Sequence, residues 1–219
     1  MPLPRKVHAV VFDMDGLLFN TEAIYRDATL AVAREAGYHL PIEFYLATVG
    51  LPGEATRTRF ADLFGTAFDF DSFWTAAKKR FEEATTAQPY LKAGVTELLD
   101  LLDELQLPRA IATSSRHEDA RHHLDRHGLH DRFHAIVAHG DYIEGKPNPD
   151  PFLTAADRLG VDPVLCLALE DSHNGVRAAS RAGMMTVMIP DLLSPNAEME
   201  ELCIGIVRNL HEVYSLIRE

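Results

Sequence analysis

Two aspartates, Asp13 and Asp15, stand two residues apart where an apolar run, Val7 to Phe12, gives way to Gly16. Residues two apart on a strand face the same way, so both carboxylates can converge beyond the strand's carboxyl end, the edge where open parallel sheets bind ligands. Gly16 lets the chain turn at once and lets its backbone come close to a ligand. Three other segments carry matching chemistry. Thr113-Ser114-Ser115 offers hydroxyls and backbone N–H donors of the kind that hold phosphate at a helix N-terminus. Lys146 lies in the proline-stiffened loop Gly145 to Asp150, and Glu170-Asp171 brings two more carboxylates to the end of another apolar run. Singly, these read as a tight turn, a solvated lysine and a helix cap. An acidic chain can still handle a small anion at such a place if a metal or a local basic pocket reverses the field there.

The elements that must position them alternate along the chain. Short apolar runs at 8–13, 109–114, 135–138, 165–170 and 185–189 have no polar alternation, as expected of strands covered on both faces in a parallel sheet. Between them lie helical patterns. Val95, Leu98, Leu99, Leu102 and Leu105 form one apolar stripe, Ser115 with Glu118 reads as a capping box, and Asp150-Pro151 reads as an N-cap followed by a first-turn proline. Gly183 reads as the glycine that ends the helix over Asn174 to Ala182. From about Thr21 to Ala87 there is no strand pattern, only helical ones such as Ile24, Ala28, Ala31 and Val32 and the stretch Phe73 to Ala84. The alternation predicts an α/β doubly wound parallel sheet interrupted after its first strand by a helical insertion.

The chain has 219 residues, 47% of them hydrophobic and 25% charged, and a net charge of −12, which disfavours nucleic acid and anionic membrane surfaces as partners. The longest stretch without a charged residue, Phe44 to Gly53, is far shorter than the ~20 residues that span a bilayer. Cys166 and Cys203 sit in apolar stretches without CxxC spacing and read as inert thiols of a reducing cytoplasm. The histidines at 117, 122, 123, 127, 130, 134 and 139 lack an HExxH arrangement, and the pair His123 and His127 reads as a solvated helical face.

In this order, the motifs FDMDG, ATSS, GKPNPDPF and LEDSHNGVRAA resemble those of the haloacid dehalogenase superfamily, in its phosphatase and phosphomutase branch. The segments FDMDGLLFNTE, ATSSR and VMIPD are similar to the subgroup that includes pseudouridine-5′-phosphatase. The resemblance implies an α/β core of residues 1–16 and 88–219 and a helical cap of residues 17–87. It implies Asp13 as nucleophile, forming an aspartyl-phosphate, and Asp15 as general acid and then base. Mg²⁺ would be held by Asp13, the Asp15 carbonyl and Asp171, with Glu170 nearby or acting through water. Lys146 and Thr113, with the amides of Met14, Asp15 and Ser114 and the helix start at Ser115, would take up phosphoryl charge.

The same resemblance implies a monomeric hydrolase of a small phosphorylated metabolite, a sugar phosphate or a nucleoside monophosphate. Mutases of this family usually carry a histidine in place of Tyr25 and a basic residue in place of Gly53, and this chain has neither. A phosphoacceptor of the receiver type, the other class that combines carboxylates with Thr and Lys at a sheet edge, carries its aspartate mid-chain and has no such insertion. Substrate choice is expected in the cap, from Glu22, Tyr25, the loop Gly50 to Gly53, Arg57, Arg59 and Lys78, with His173 as a contact beside the metal aspartate.

Overall fold

A computed structural model describes residues 3–49, 51, 53–87 and 89–218. In chain order the elements are β1 (Ala9–Phe12), α1 (Thr21–Glu35), α2 (Ile42–Leu46), α3 (Gly53–Phe64), α4 (Phe70–Ala87), α5 (Val95–Glu104) and β2 (Arg109–Ala112). After these come α6 (His117–Arg126), β3 (Ala135–Val137), α7 (Asp150–Leu159), β4 (Cys166–Glu170), α8 (His173–Arg181), β5 (Met185–Met188), α9 (Ala197–Leu202), β6 (Gly205–Ile206) and α10 (Leu210–Arg218). They divide into two compact units, Met1–Asn20 with Leu91–Glu219 and Thr21–Tyr90.

The first unit is built on one parallel sheet in the order β3-β2-β1-β4-β5-β6. β1 lies at its centre: Val10 pairs with Arg109 on one side and with Leu167 on the other. Every residue of β1, β2, β4 and β5 is buried, which is why these strands read as mainly apolar runs without a polar alternation. Successive side chains turn to opposite faces. Ala9, Val11, Ala110, Ala112 and Ala168 meet Phe152, Ala155 and Ala156 of α7 and Ala178 and Ala179 of α8. Small residues on both sides let these helices lie close to the sheet. On the other face Phe12 meets Phe133 edge-on, with ring centres 5.7 Å apart.

Four local expectations are corrected. A sixth strand, β6, continues the sheet beyond β5; at two residues it is too short to show any period. The residue before α6 is Arg116, with no side-chain cap, and Ser115 spends its hydroxyl elsewhere. α7 begins at Asp150 after Pro149, and the Asp150 carboxylate accepts from the Glu144 amide at 3.1 Å instead of capping. His123 is buried, not solvated, because it and His127 lie against the ring of Phe19, at 5.6 and 5.0 Å. The stop after α8 is as expected: Gly183 takes the left-handed conformation, φ 80°, and its amide bonds back to Ser180.

The helical unit, Thr21–Tyr90, begins four residues later than the expected boundary at 17. Leu17, Leu18 and Phe19 are fully buried in the first unit, where Lys92 donates its amide to the Leu18 carbonyl and Phe19 bridges to Leu91. In the helical unit α1 packs along α4. Its core is aromatic: the fully buried Phe60 is ringed by Phe44, Phe64, Phe68, Phe70, Phe73 and Trp74, with centres 5.5–6.3 Å away.

Candidate active site

The sheet order reverses direction between β1 and β4, and the chemistry-bearing residues gather where those strands end. Asp13 follows β1, its amide bonded to the Leu169 carbonyl at 2.9 Å. The chain then turns sharply, with the Gly16 amide on the Phe19 carbonyl at 2.8 Å. Gly16 has φ 85°, and a Cβ there would stand 2.3 Å from Asp171 Oδ2, so no other residue fits this corner unchanged. Thr113 follows β2 and is buried, while Ser114 is exposed and Ser115 half-buried.

Lys146 reaches back from its loop to bond both Asp13 Oδ1 and Glu170 Oε1, the latter at 2.6 Å, with its ammonium 5.0 Å above the Phe152 ring. Burial opposes the ammonium's charge, but Asp13 and Glu170 outweigh it and hold Lys146 above the ordinary lysine range, so it is a fixed cation. Glu170 is fully buried, and its other oxygen accepts from the amides of Asp171 and Ser172, each at 2.9 Å, and from the Ser172 hydroxyl at 3.0 Å. A Cβ on Gly175 would stand 1.6 Å from Glu170 Oε1, so that glycine makes room for the carboxylate. Glu170, expected near the metal, is therefore turned toward the lysine and the start of α8. Ser172 caps α8 by accepting from the Gly175 amide.

Asp15 accepts from Ser115 Oγ at 2.7 Å and, at 3.5 Å, from Thr113 Oγ1, which itself accepts from the Ser115 amide at 3.0 Å. Tyr142 steadies this corner by donating to the Thr113 carbonyl at 3.2 Å. The structure thus brings Asp13, Asp15, Thr113, Ser115, Lys146, Glu170 and Asp171 to one edge. Met14 is wholly buried, leaving only its backbone to serve a ligand.

Electrostatically the edge is short of positive charge. Burial pushes the Asp13 carboxyl well above the usual carboxylate range; Lys146 opposes the shift, and the charges of Glu170 and Asp15 add to it. At the Gly16 corner a fifth carboxylate, Asp191, takes a bond from Lys92 at 2.5 Å, while its buried Oδ2 has no hydrogen-bond partner among the described residues. The motif reading quotes Asp191 within VMIPD but gives neither it nor Lys92 a role, although a carboxylate just past β5 shares the topological address of Asp13 and Asp171. No three metal-binding side chains form a ready cage among the described residues. A cation here would rest on two carboxylates, Asp13 and Asp171, and a backbone carbonyl.

A haloacid dehalogenase-like hydrolase family model matches residues 10–189. The chain belongs to the haloacid dehalogenase-like hydrolases. It is 35% identical over 193 residues to the Drosophila melanogaster protein named "Probable pseudouridine-5'-phosphatase", covering 85% of this chain and 83% of that one. It is 29% identical over 220 residues to the Thermotoga maritima phosphorylated carbohydrates phosphatase, covering 97% and 99%. A Deinococcus radiodurans family hydrolase, solved with bound phosphate and sodium, superimposes with a TM-score of 0.79 at 27% identity, covering 94% of this chain and 93% of that one.

In this hydrolase the residues expected to choose the substrate are largely engaged inside the helical unit. Tyr25 lies between the rings of Trp74 and Phe81, at 5.4 and 5.3 Å. Arg57 grips Asp71 through both nitrogens, at 2.5 and 3.1 Å, and lies 4.7 Å over the Phe70 ring. Arg59 donates to the Ala47 carbonyl and Lys78 faces Glu82. Glu22 is half-buried, and Gly50 and Pro52 lie outside the described residues. In the core unit, His173 bonds the Ser194 carbonyl at 2.9 Å. No helix among the described residues is long and apolar enough to cross a membrane.

Proposed function

We propose that this hydrolase is a Mg²⁺-dependent phosphatase that cleaves small phosphomonoesters, sugar phosphates or nucleoside monophosphates, through an aspartyl-phosphate on Asp13. The observation that carries the reading is the grip of Lys146 on Asp13 with Asp15 two residues on. That grip fixes a carboxylate nucleophile beside a permanent cation, and Asp15 stands on the same edge to move a proton.

An oxygen of Asp13 attacks phosphorus while the bond to the leaving oxygen breaks, and the protonated Asp15 gives its proton to that oxygen. Water then attacks the same phosphorus and passes its proton to Asp15. The acyl phosphate bond breaks, and Asp13 and inorganic phosphate are released. Ser115 and Thr113 hold the Asp15 carboxyl in line for both transfers. Lys146, kept in place by Glu170, takes up charge on the phosphoryl oxygens. The hard oxygens of Asp13, Asp171 and the Asp15 carbonyl, with Asp191 Oδ2, which has no hydrogen-bond partner among the described residues, on the same Gly16 corner as Asp171, fit a small divalent cation. Magnesium bound there would supply charge to offset that of the phosphoryl group and a template to orient it.

General acid catalysis contributes only ~10²–10⁴-fold. Uncatalysed monoester hydrolysis is slow enough to require up to ~10²¹-fold acceleration. The larger share must come from positioning and charge, which accounts for the density of fixed groups at this edge. Substrate choice is assigned to the helical unit.

The test is phosphate release from a panel of sugar phosphates, nucleoside monophosphates and small organic phosphates, with Mg²⁺ and with excess chelator. Release that continues at full rate in chelator overturns the metal assignment. With β-glucose 1-phosphate the expected products are glucose and phosphate; accumulation of glucose 6-phosphate, faster with added bisphosphate, makes the protein a mutase instead.

A further inference from the structure

Asp191 has a divided environment. Its side chain is 10% exposed, and Lys92 Nζ holds Oδ1 at 2.5 Å, so the carboxylate cannot turn freely. Oδ2 is buried and has no hydrogen-bond partner among the described residues. It points at the Gly16 corner: it lies 3.4 Å from the place where a Cβ on Gly16 would stand, and Asp171 Oδ2 lies 2.3 Å from the same place. Two acceptor oxygens from different strand ends therefore flank one glycine. Asp171 cannot donate to Asp191 Oδ2, and a buried acceptor without a donor is costly.

A cation held on Asp171, as under the proposed function, carries water, and such a water supplies the donor that Asp191 Oδ2 lacks among the described residues. We propose that Asp191 is a positioning residue whose Oδ2 accepts a hydrogen bond from a water carried by the divalent cation on Asp13, Asp171 and the Asp15 carbonyl. Lys92 aims it. The inference rests on the metal reading made under the proposed function.

A residue acting through a bound water affects cations unequally. Mg²⁺ keeps several of its waters when bound, whereas Ca²⁺ exchanges them for protein oxygens in a looser shell. Asp191 therefore serves Mg²⁺ more than Ca²⁺.

The experiment is calorimetric titration of the whole chain with MgCl₂ and with CaCl₂, for the wild type, Asp191→Asn and Asp171→Ala. The unfolding midpoint in chelator reports whether each variant is folded. Asp191→Asn is expected to weaken Mg²⁺ by about tenfold or more and Ca²⁺ distinctly less, and Asp171→Ala to lose both. A second variant, Lys92→Met with Asp191→Leu, leaves no unpaired ammonium and is expected to show the same unequal loss. Equal losses for the two ions, or Mg²⁺ binding to Asp191→Asn as tight as to wild type, overturn the role of Asp191. A wild type that binds neither ion overturns the metal reading itself, and the role of Asp191 with it.

Discussion

Ser115 donates its hydroxyl to Asp15 across 2.7 Å, joining two residues 100 positions apart in the chain. The bond fixes one oxygen of the carboxyl assigned to proton transfer, and it explains why this serine does not cap the helix beside it. Ser115→Ala removes this bond and keeps the longer contact of Asp15 with Thr113. Hydrogen bonds to charged groups contribute about 1.5–3 kcal/mol, so kcat is expected to fall about tenfold or more, with KM little changed. Steady-state kinetics on any accepted phosphomonoester checks this, and an unaltered kcat removes Ser115 from the positioning of Asp15.

Asp13→Asn keeps the side chain's shape and removes its nucleophilic charge. Turnover is expected to drop by about a thousandfold or more while the circular dichroism spectrum stays the same. Rapidly quenched wild type should carry a phosphate on the peptide containing Asp13, seen as a mass increment that the variant lacks. Retention of more than a few per cent of the wild-type rate removes Asp13 from the nucleophile's role.

Glu170→Ala withdraws a wholly buried partner from Lys146 and leaves the amides of Asp171 and Ser172 unsatisfied. Breaking a buried pair in this way costs about 3–5 kcal/mol, whereas Arg57→Ala, which breaks an exposed, solvent-screened pair with Asp71, is expected to cost far less. Denaturant titration of the two variants checks the contrast. Equal small losses would mean that Glu170 is not what holds the lysine.

Asp141 gives a dependence on pH. Burial pushes its carboxyl up, but bonds from Arg158, the Ala138 amide and His117 prevail and bring it down to about 2. A carboxyl depressed on folding stabilises the protein above its unfolded value, near 3.9, and that contribution is lost as pH falls through about 2. Asp141→Asn should therefore lower the unfolding midpoint at neutral pH, and the gap from wild type should close as pH is taken from about 4 to 2. A gap independent of pH would show that the charge of Asp141 contributes nothing.

The sheet was legible in the sequence because burial on both faces leaves a plain mark, an apolar run. The motifs at the ends of those runs placed Asp13, Asp15, Thr113, Lys146 and Asp171 on one edge without knowledge of any contact. What could not be read was the direction a polar side chain takes once it is there. Ser115 and Glu118 have the spacing of a capping box, yet a carboxylate from the end of β1 competes for the serine, and local spacing cannot register a partner 100 residues away. Glu170 and Asp171 are neighbours with the same chemistry; only the room at Gly175 and the reach of Lys146 turn one inward. Arg57 looked free for a phosphate until its pairing with Asp71, on another helix, was visible.

The central place of β1 also bears on how the protein is made. Val10 has both of its strand partners far downstream, at Arg109 and Leu167. At synthesis rates of about 5–20 residues per second, the strand that bears Asp13 waits on the order of ten seconds or more for its second neighbour, with an apolar edge unpaired meanwhile. The intervening Thr21–Tyr90 segment is contiguous in sequence and has a core of its own, so it can become ordered while the sheet is still incomplete. The strand that leads to Asp13 thus precedes the other five strands of its sheet in synthesis and is the one most dependent on protection until the last quarter of the chain arrives.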